Sequence, residues 1–117
     1  MIQRRHILQA LAPLSATLLT GRSWAQSTPI RILVGAPAGG STDMLARTLS
    51  IEMGRLLGRT VIVENRPGAG GNIAADAVAK TVPDGNTLLM SFTSHAINAS
   101  LYPSLPFDPI KDFTPLT

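Results

Sequence analysis

The sequence predicts an α/β fold with a parallel, Rossmann-like sheet, on three observations. Apolar runs rich in branched residues recur at Ile30 to Ala36, Thr60 to Val63 and Thr87 to Phe92. The first breaks into the glycine-rich turn PAGGSTD, the second into ENRPGAGGNI and the third into SFTSHAIN. Helically spaced apolar residues follow the first two turns, which gives the order strand, helix, strand, helix, strand. Right-handed crossovers between parallel strands then bring the three turns to one edge of the sheet.

Each element has a local reason. Ile30 to Ala36 alternates little, as a strand buried on both faces does. Beyond the glycines, Leu45, Leu49, Met53 and Leu56 recur at spacings of four, four and three, which predicts one buried helix face with Arg47, Glu52 and Arg55 outside it. Ser41, Thr42 or Asp43 can cap the start of that helix, and Gly58 can stop it. Thr60 to Val63 is β-branched enough for a second strand. A second helix is expected from about Asn72 to Thr81, with Ile73, Ala74, Ala77 and Val78 turned inward and Asp76 paired to Lys80 at i,i+4. Pro83-Asp84-Gly85-Asn86 is a turn, and Thr87 opens the third strand.

Residues 1–25 read as an export signal. Arg4 and Arg5 give a positive start, Ile7 to Thr20 is apolar and uncharged, and Ser23-Trp24-Ala25 offers small residues for cleavage, expected after Ala25. Pro13 interrupts the apolar segment, which is shorter than the roughly 20 residues that span a bilayer, so a permanent membrane helix is not expected. Arg4-Arg5-His6-Ile7-Leu8 also fits the twin-arginine pattern, and the two export routes stay open. Removing Arg4, Arg5 and Arg22 leaves seven cations against seven carboxylates, so residues 26–117 are neutral and offer no basic face for nucleic acid. Cysteine is absent, which removes disulfides and thiolate metal sites. Residues 107–117, FDPIKDFTPLT, read as a loop leading into a further element, and the chain is taken as a piece of a longer protein.

The stretches PIRILVGAPAGGSTDMLARTL, GRTVIVENRPGAGGNIAADAVAKTVPDGNTLLM and SHAINASLYPSLPFDPIKDFTPL occur in that order. Together they resemble the N-terminal part of the Bug-type extracytoplasmic solute receptors of the tripartite tricarboxylate transporter family, over essentially all of residues 26–117. Small departures fall at Ala36, Ala38 and Asn86. The resemblance implies a type II periplasmic-binding-protein, or Venus flytrap, fold, incomplete in this chain, with residues 26–117 as the N-terminal part of its first domain. It implies a periplasmic receptor without a cofactor that binds a small carboxylate, a di- or tricarboxylic or aromatic acid, and passes it to membrane permease subunits. The positions that match the family's ligand-holding motifs are Gly39, Gly40 and Ser41, then Ala69, Gly70 and Gly71, then Thr93, Ser94 and His95.

Elementary chemistry agrees with that assignment. A helix N-terminus carries about half a positive charge and unpaired N–H donors, and glycine lets a carboxylate approach the backbone. Plainer readings stand beside it. Gly39 and Gly40 also suit a tight turn, Asp43 is a cap or loop brace since it would repel an acid, and Arg66 beside Glu64 suits an ion pair. His95 can donate to a ligand or brace its loop.

Other classes fare worse. Gly68-Ala69-Gly70-Gly71-Asn72-Ile73 follows a strand as a dinucleotide fingerprint would, but its sixth residue is Ile, and the next strand ends in Ser91-Phe92 without the acid that holds a ribose. Neither a GxxxxGK[ST] loop nor a G-x-S-x-G elbow is present. Ser94 and His95 are read as adjacent strand residues pointing apart, which rules out a catalytic pair. One histidine in residues 26–117, among scattered carboxylates, gives no metal spacing. An enzyme is therefore not expected; the alternatives to a receptor are a truncated product that does not bind and, behind it, a nucleotide-dependent α/β enzyme. A lone lobe should bind carboxylates weakly or not at all, and its open sheet edges favour self-association.

Overall fold

The computed structural model describes residues 27–116, and the expected leader with its cleavage point lies outside them. Three strands, β1 (Ile30–Val34), β2 (Val61–Asn65) and β3 (Thr87–Met90), form a parallel sheet in the order β2-β1-β3. The helices are α1 (Ser41–Leu57), α2 (Asn72–Ala79) and α3 (Ser94–Leu101), and a single 3-10 turn over Ala69–Gly71 precedes α2. The predicted class and element order hold. β1 and β3 end two residues earlier than expected, because those residues leave the ladder to form the loops, whereas β2 starts one residue later and runs two residues further, to Asn65.

β1 is the centre of the domain. Ile32 and Val34 lie on one face with Ala46 of α1, and Ala36, Met53, Val61, Val63, Leu88 and Met90 pack around them. Leu33, which strand alternation turns to the opposite face, is also buried, so β1 is covered on both sides. α1 packs on β1 and β2, whereas α2 packs on β1 and β3. This is the arrangement that right-handed crossovers produce on opposite faces of a sheet.

The face of α1 that meets the sheet is not the leucine stripe. Leu45, Leu49 and Leu56 are exposed, and only Met53 of that set is partly covered. The buried positions are Asp43 and Ala46, with Ser50, Met53 and Gly54 partly buried along the same side. Small residues win that face because they let the helix axis approach the strands: a Cβ on Gly54 would already lie 3.2 Å from the Arg59 carbonyl. In α2, likewise, Ala74 and Ala75 are buried while Ile73 is exposed and lies against Gly68. Gly58 does end α1 in a left-handed conformation, and Asp76 pairs with Lys80 at 2.7 Å, both as expected. Among the described residues no helix is long and apolar enough to cross a membrane.

Candidate functional site

The three loops leave the C-terminal ends of adjacent parallel strands; the first two meet backbone to backbone, and the third joins them through side chains. A Cβ placed on Gly35 would lie 2.7 Å from the Cα of Gly71 and 3.3 Å from the Phe92 ring, and one on Gly71 would lie 3.0 Å from that ring. Gly35, just after β1, thus brings loop one against loop two, and Phe92 seats loop three against both. Sequence reasoning passed over Gly35, although a glycine directly after a buried strand is the sign of such a close approach. The crevice among Gly35, Gly70, Gly71, Ser91, Ser94 and His95 holds only about 10 Å³, room for about one water molecule.

Loop one is fixed by a carboxylate. Asp43 is almost fully buried and accepts from Gly39 N–H at 2.8 Å, from Arg47 Nε at 3.0 Å and, through Oδ1, from Asn65 Nδ2 at 2.9 Å. Gly40, not Ser41, Thr42 or Asp43, occupies the N-cap position, and no side chain caps the helix. Of the two readings of Asp43, the structure shows the loop brace, because its oxygens reach the residue before the cap. The first-turn N–H groups of Ser41, Thr42 and Asp43 have no intrahelical acceptor by position.

The same bonds hold the Asp43 carboxyl down to about 2, with the Arg47 guanidinium the largest cause, then the Gly39 N–H and Asn65. An acid whose folded pKa lies below its unfolded value of about 3.9 contributes stability that is complete above that pH and is lost as pH falls through the folded value. The Gly39 amide resonance is therefore expected to titrate with a midpoint near 2. A midpoint near 4 would show that the brace is absent.

Loop two is held by α3. Gly70 carbonyl accepts from Ser94 Oγ at 2.7 Å and from Asn98 Nδ2 at 3.1 Å, and Asn98 Nδ2 also donates to Asn72 Oδ1 at 2.8 Å. The turn itself is a mirror image of an ordinary 3-10 turn: Gly68, Ala69, Gly70 and Gly71 all have positive φ. Glycine takes such values freely, but Ala69 at φ 47° does not. Ala69→Gly should relieve about 1–2 kcal/mol of left-handed strain against about 0.5–1 kcal/mol of added chain entropy. Urea denaturation is expected to show a slightly more stable variant, and a less stable one would mean that the Ala69 side chain makes a contact worth more than its strain.

Loop three contains the third set of candidates. Thr93 is the exposed cap of α3, and Ser94 and His95 lie in the first turn of that helix, not on a strand. The strand argument against a Ser94–His95 pair is thereby corrected; the two are separated instead by what they bond. Ser94 is committed to Gly70, while His95 Nε2 lies 3.2 Å from the Pro109 carbonyl. The imidazole stacks on Phe107 at 6.0 Å and meets the edge of Phe113 at 5.1 Å. Of the two readings of His95, these contacts fit the brace, which ties the Phe107–Phe113 loop to α3.

The candidate amides consequently divide. Gly39 N–H is taken by Asp43, Gly71 N–H by the Gly68 carbonyl at 2.9 Å and His95 N–H by the Phe92 carbonyl at 2.8 Å. Arg66 lies 3.5 Å from Glu64, which is gripped by Arg31 at 2.6 and 2.8 Å, so both arginines serve a carboxylate of the chain itself. A larger depression of about 560 Å³ beside Tyr102, Leu105 and Phe107 includes Asp108 and Asp112, the wrong charge for an acid. Among the described residues no group of three or more His, Asp or Glu side chains could hold a metal ion.

The family model "Tripartite tricarboxylate transporter family receptor" matches residues 45–117. The chain belongs to this family. The tripartite tricarboxylate receptors are solute-binding proteins and not enzymes. The protein BugT of Bordetella pertussis is 44% identical over 108 residues, covering 91% of this chain and 31% of BugT. A protein from the TAR-I region of Agrobacterium vitis is 45% identical over 105 residues, 86% of this chain and 30% of that one. The chain thus spans about a third of the length of the curated relatives it matches. Among solved structures, a periplasmic transporter superposes with a TM-score of 0.73 at 44% identity over 80% of this chain and 32% of that chain. MatC of Rhodopseudomonas palustris, with bound malate, gives 0.67 at 39% identity over 75% of this chain and 30% of that one. A second R. palustris protein, with adipate, gives 0.66 at 36% over 74% and 29%.

Proposed function

We propose that this chain is the N-terminal part of the first lobe of an exported periplasmic receptor, which captures a small di- or tricarboxylic or aromatic acid for the permease subunits of a tripartite tricarboxylate transporter. The observation that carries the reading is the meeting of three strand-to-helix loops at Gly35, Gly71 and Phe92. On the three loops, the Ser41 and Thr42 amides and the Ser41 hydroxyl of the first and the Ala69 and Gly70 amides of the second are the donors this reading assigns to an anion, with Gly40 and Thr93 in the same segments. The malate and adipate bound by two relatives support a carboxylate as the ligand class.

Such a site works by fixed dipoles. Amides at a helix start meet a carboxylate without reorganising, and bridging water can complete the shell, which keeps capture reversible. A crevice of about 10 Å³ does not enclose a dicarboxylate, so the opposite wall must come from a second lobe that closes by hinge motion. The 117-residue chain alone should hold malate with a Kd above about 1 mM, corresponding to about −4 kcal/mol. Line broadening of malate protons by the protein, absent for the uncharged diamide of malic acid, is the expected result. Equal broadening of acid and diamide would overturn the reading.

A further inference from the structure

We infer that Asn65 and Arg47 are positioning residues of the anion site, which hold the Asp43 carboxylate on the Gly39 N–H so that loop one presents its next amides to a ligand. The inference rests on the carboxylate-receptor reading above. Asn65 is the last residue of β2, and its Nδ2 donates both to Asp43 Oδ1 at 2.9 Å and to the Ala36 carbonyl at 3.1 Å. Arg47, one turn into α1 from Asp43, closes the ring by donating from Nε to Asp43 at 3.0 Å and from Nη2 to Asn65 Oδ1 at 3.1 Å. Loop one is therefore tied near both ends, at Ala36 and at Gly39.

The register of the tie is unusual for a helix start. An acid at the third helical position ordinarily reaches back to the N–H of the cap residue and shields it. Asp43 reaches one residue further, to Gly39, and leaves Gly40 and the first helical turn without a side-chain cap. A buried carboxylate beside an anion site would also repel the ligand, and Arg47 supplies the matching charge there. Its side chain is half exposed and stands outside the apolar cluster around Ile32 and Val34, so its removal leaves the packed interior intact.

The test uses the ¹⁵N-labelled 117-residue chain titrated with sodium malate, with Kd read from the Ser41 and Thr42 amides and thermal midpoints measured alongside. Asn65→Ala and Arg47→Gln should each weaken malate by about tenfold or more while the β1 amides stay in place, and Arg47→Lys should recover part of the loss. Folded variants that bind malate like the wild type would overturn the positioning role alone. If Asn65→Ala does not fold, Arg47→Gln decides the matter by itself. A wild-type chain in which malate shifts amides away from Ser41, Thr42, Ala69 and Gly70 would overturn the receptor reading, and this inference with it.

Discussion

Gly35→Ala is expected to be the most damaging single-methyl change in the domain, with a loss of about 3 kcal/mol of stability, the upper end of the usual cost of overpacking. The new Cβ would lie 2.7 Å from the Cα of Gly71 and 3.3 Å from Phe92. Side chains can rotate away from such a contact, but the Gly71 backbone cannot. Loop two would have to move, and its Gly70 carbonyl is pinned by Ser94 and Asn98. The strain therefore spreads to α3. Urea denaturation measures the cost, and the amide spectrum should show displacement in all three loops. A change confined to residues 34–36, with stability near that of the wild type, would mean that the loops do not share one packed junction.

Asn98→Asp is expected to cost nearly as much at neutral pH, about 3 kcal/mol, because an isosteric group that donated now only accepts. Asn98 is 3% exposed and gives its Nδ2 hydrogens to the Gly70 carbonyl and to Asn72 Oδ1. A carboxylate in that place would face two oxygens without a proton between them. Burial and repulsion raise the folded pKa of the introduced carboxyl above its unfolded value of about 3.9. The sign follows from linkage: the protonated form keeps one donor, so the defect is smallest below about pH 4 and grows as pH rises through the raised value. Thermal midpoints at pH 4 and pH 7 should diverge between variant and wild type. A defect independent of pH would show that the Asn98 amide is not the donor that holds loop two.

The sheet was legible because its signal is local. β-branched runs ending in glycine turns specify strands followed by helices whatever covers them, and the parallel order follows from connection lengths. The covered face of α1 was not legible. Its helix carries two apolar stripes, and spacing alone favours the larger residues Leu45, Leu49 and Leu56, whereas close packing on the strands selects Ala46 and Gly54. The candidate loops were found as segments, yet the role of each amide was not, because internal acceptors decide it. Asp43, 22 positions before Asn65 in the chain, meets it only through the parallel pairing of β1 with β2. His95 similarly finds Phe107, Pro109 and Phe113 only once the loop after α3 folds back. A polar residue that ends a β-branched strand, as Asn65 does, is the one sequence sign that points to such a tie.

The claim that these loops form a carboxylate site is tested most directly by mapping malate-induced amide shifts residue by residue on the 117-residue chain. The account predicts the largest saturable changes at Gly40, Ser41, Thr42, Ala69 and Gly70. Changes centred instead on the depression lined by Tyr102, Leu105, Asp108 and Asp112, or spread evenly over the surface, would contradict it.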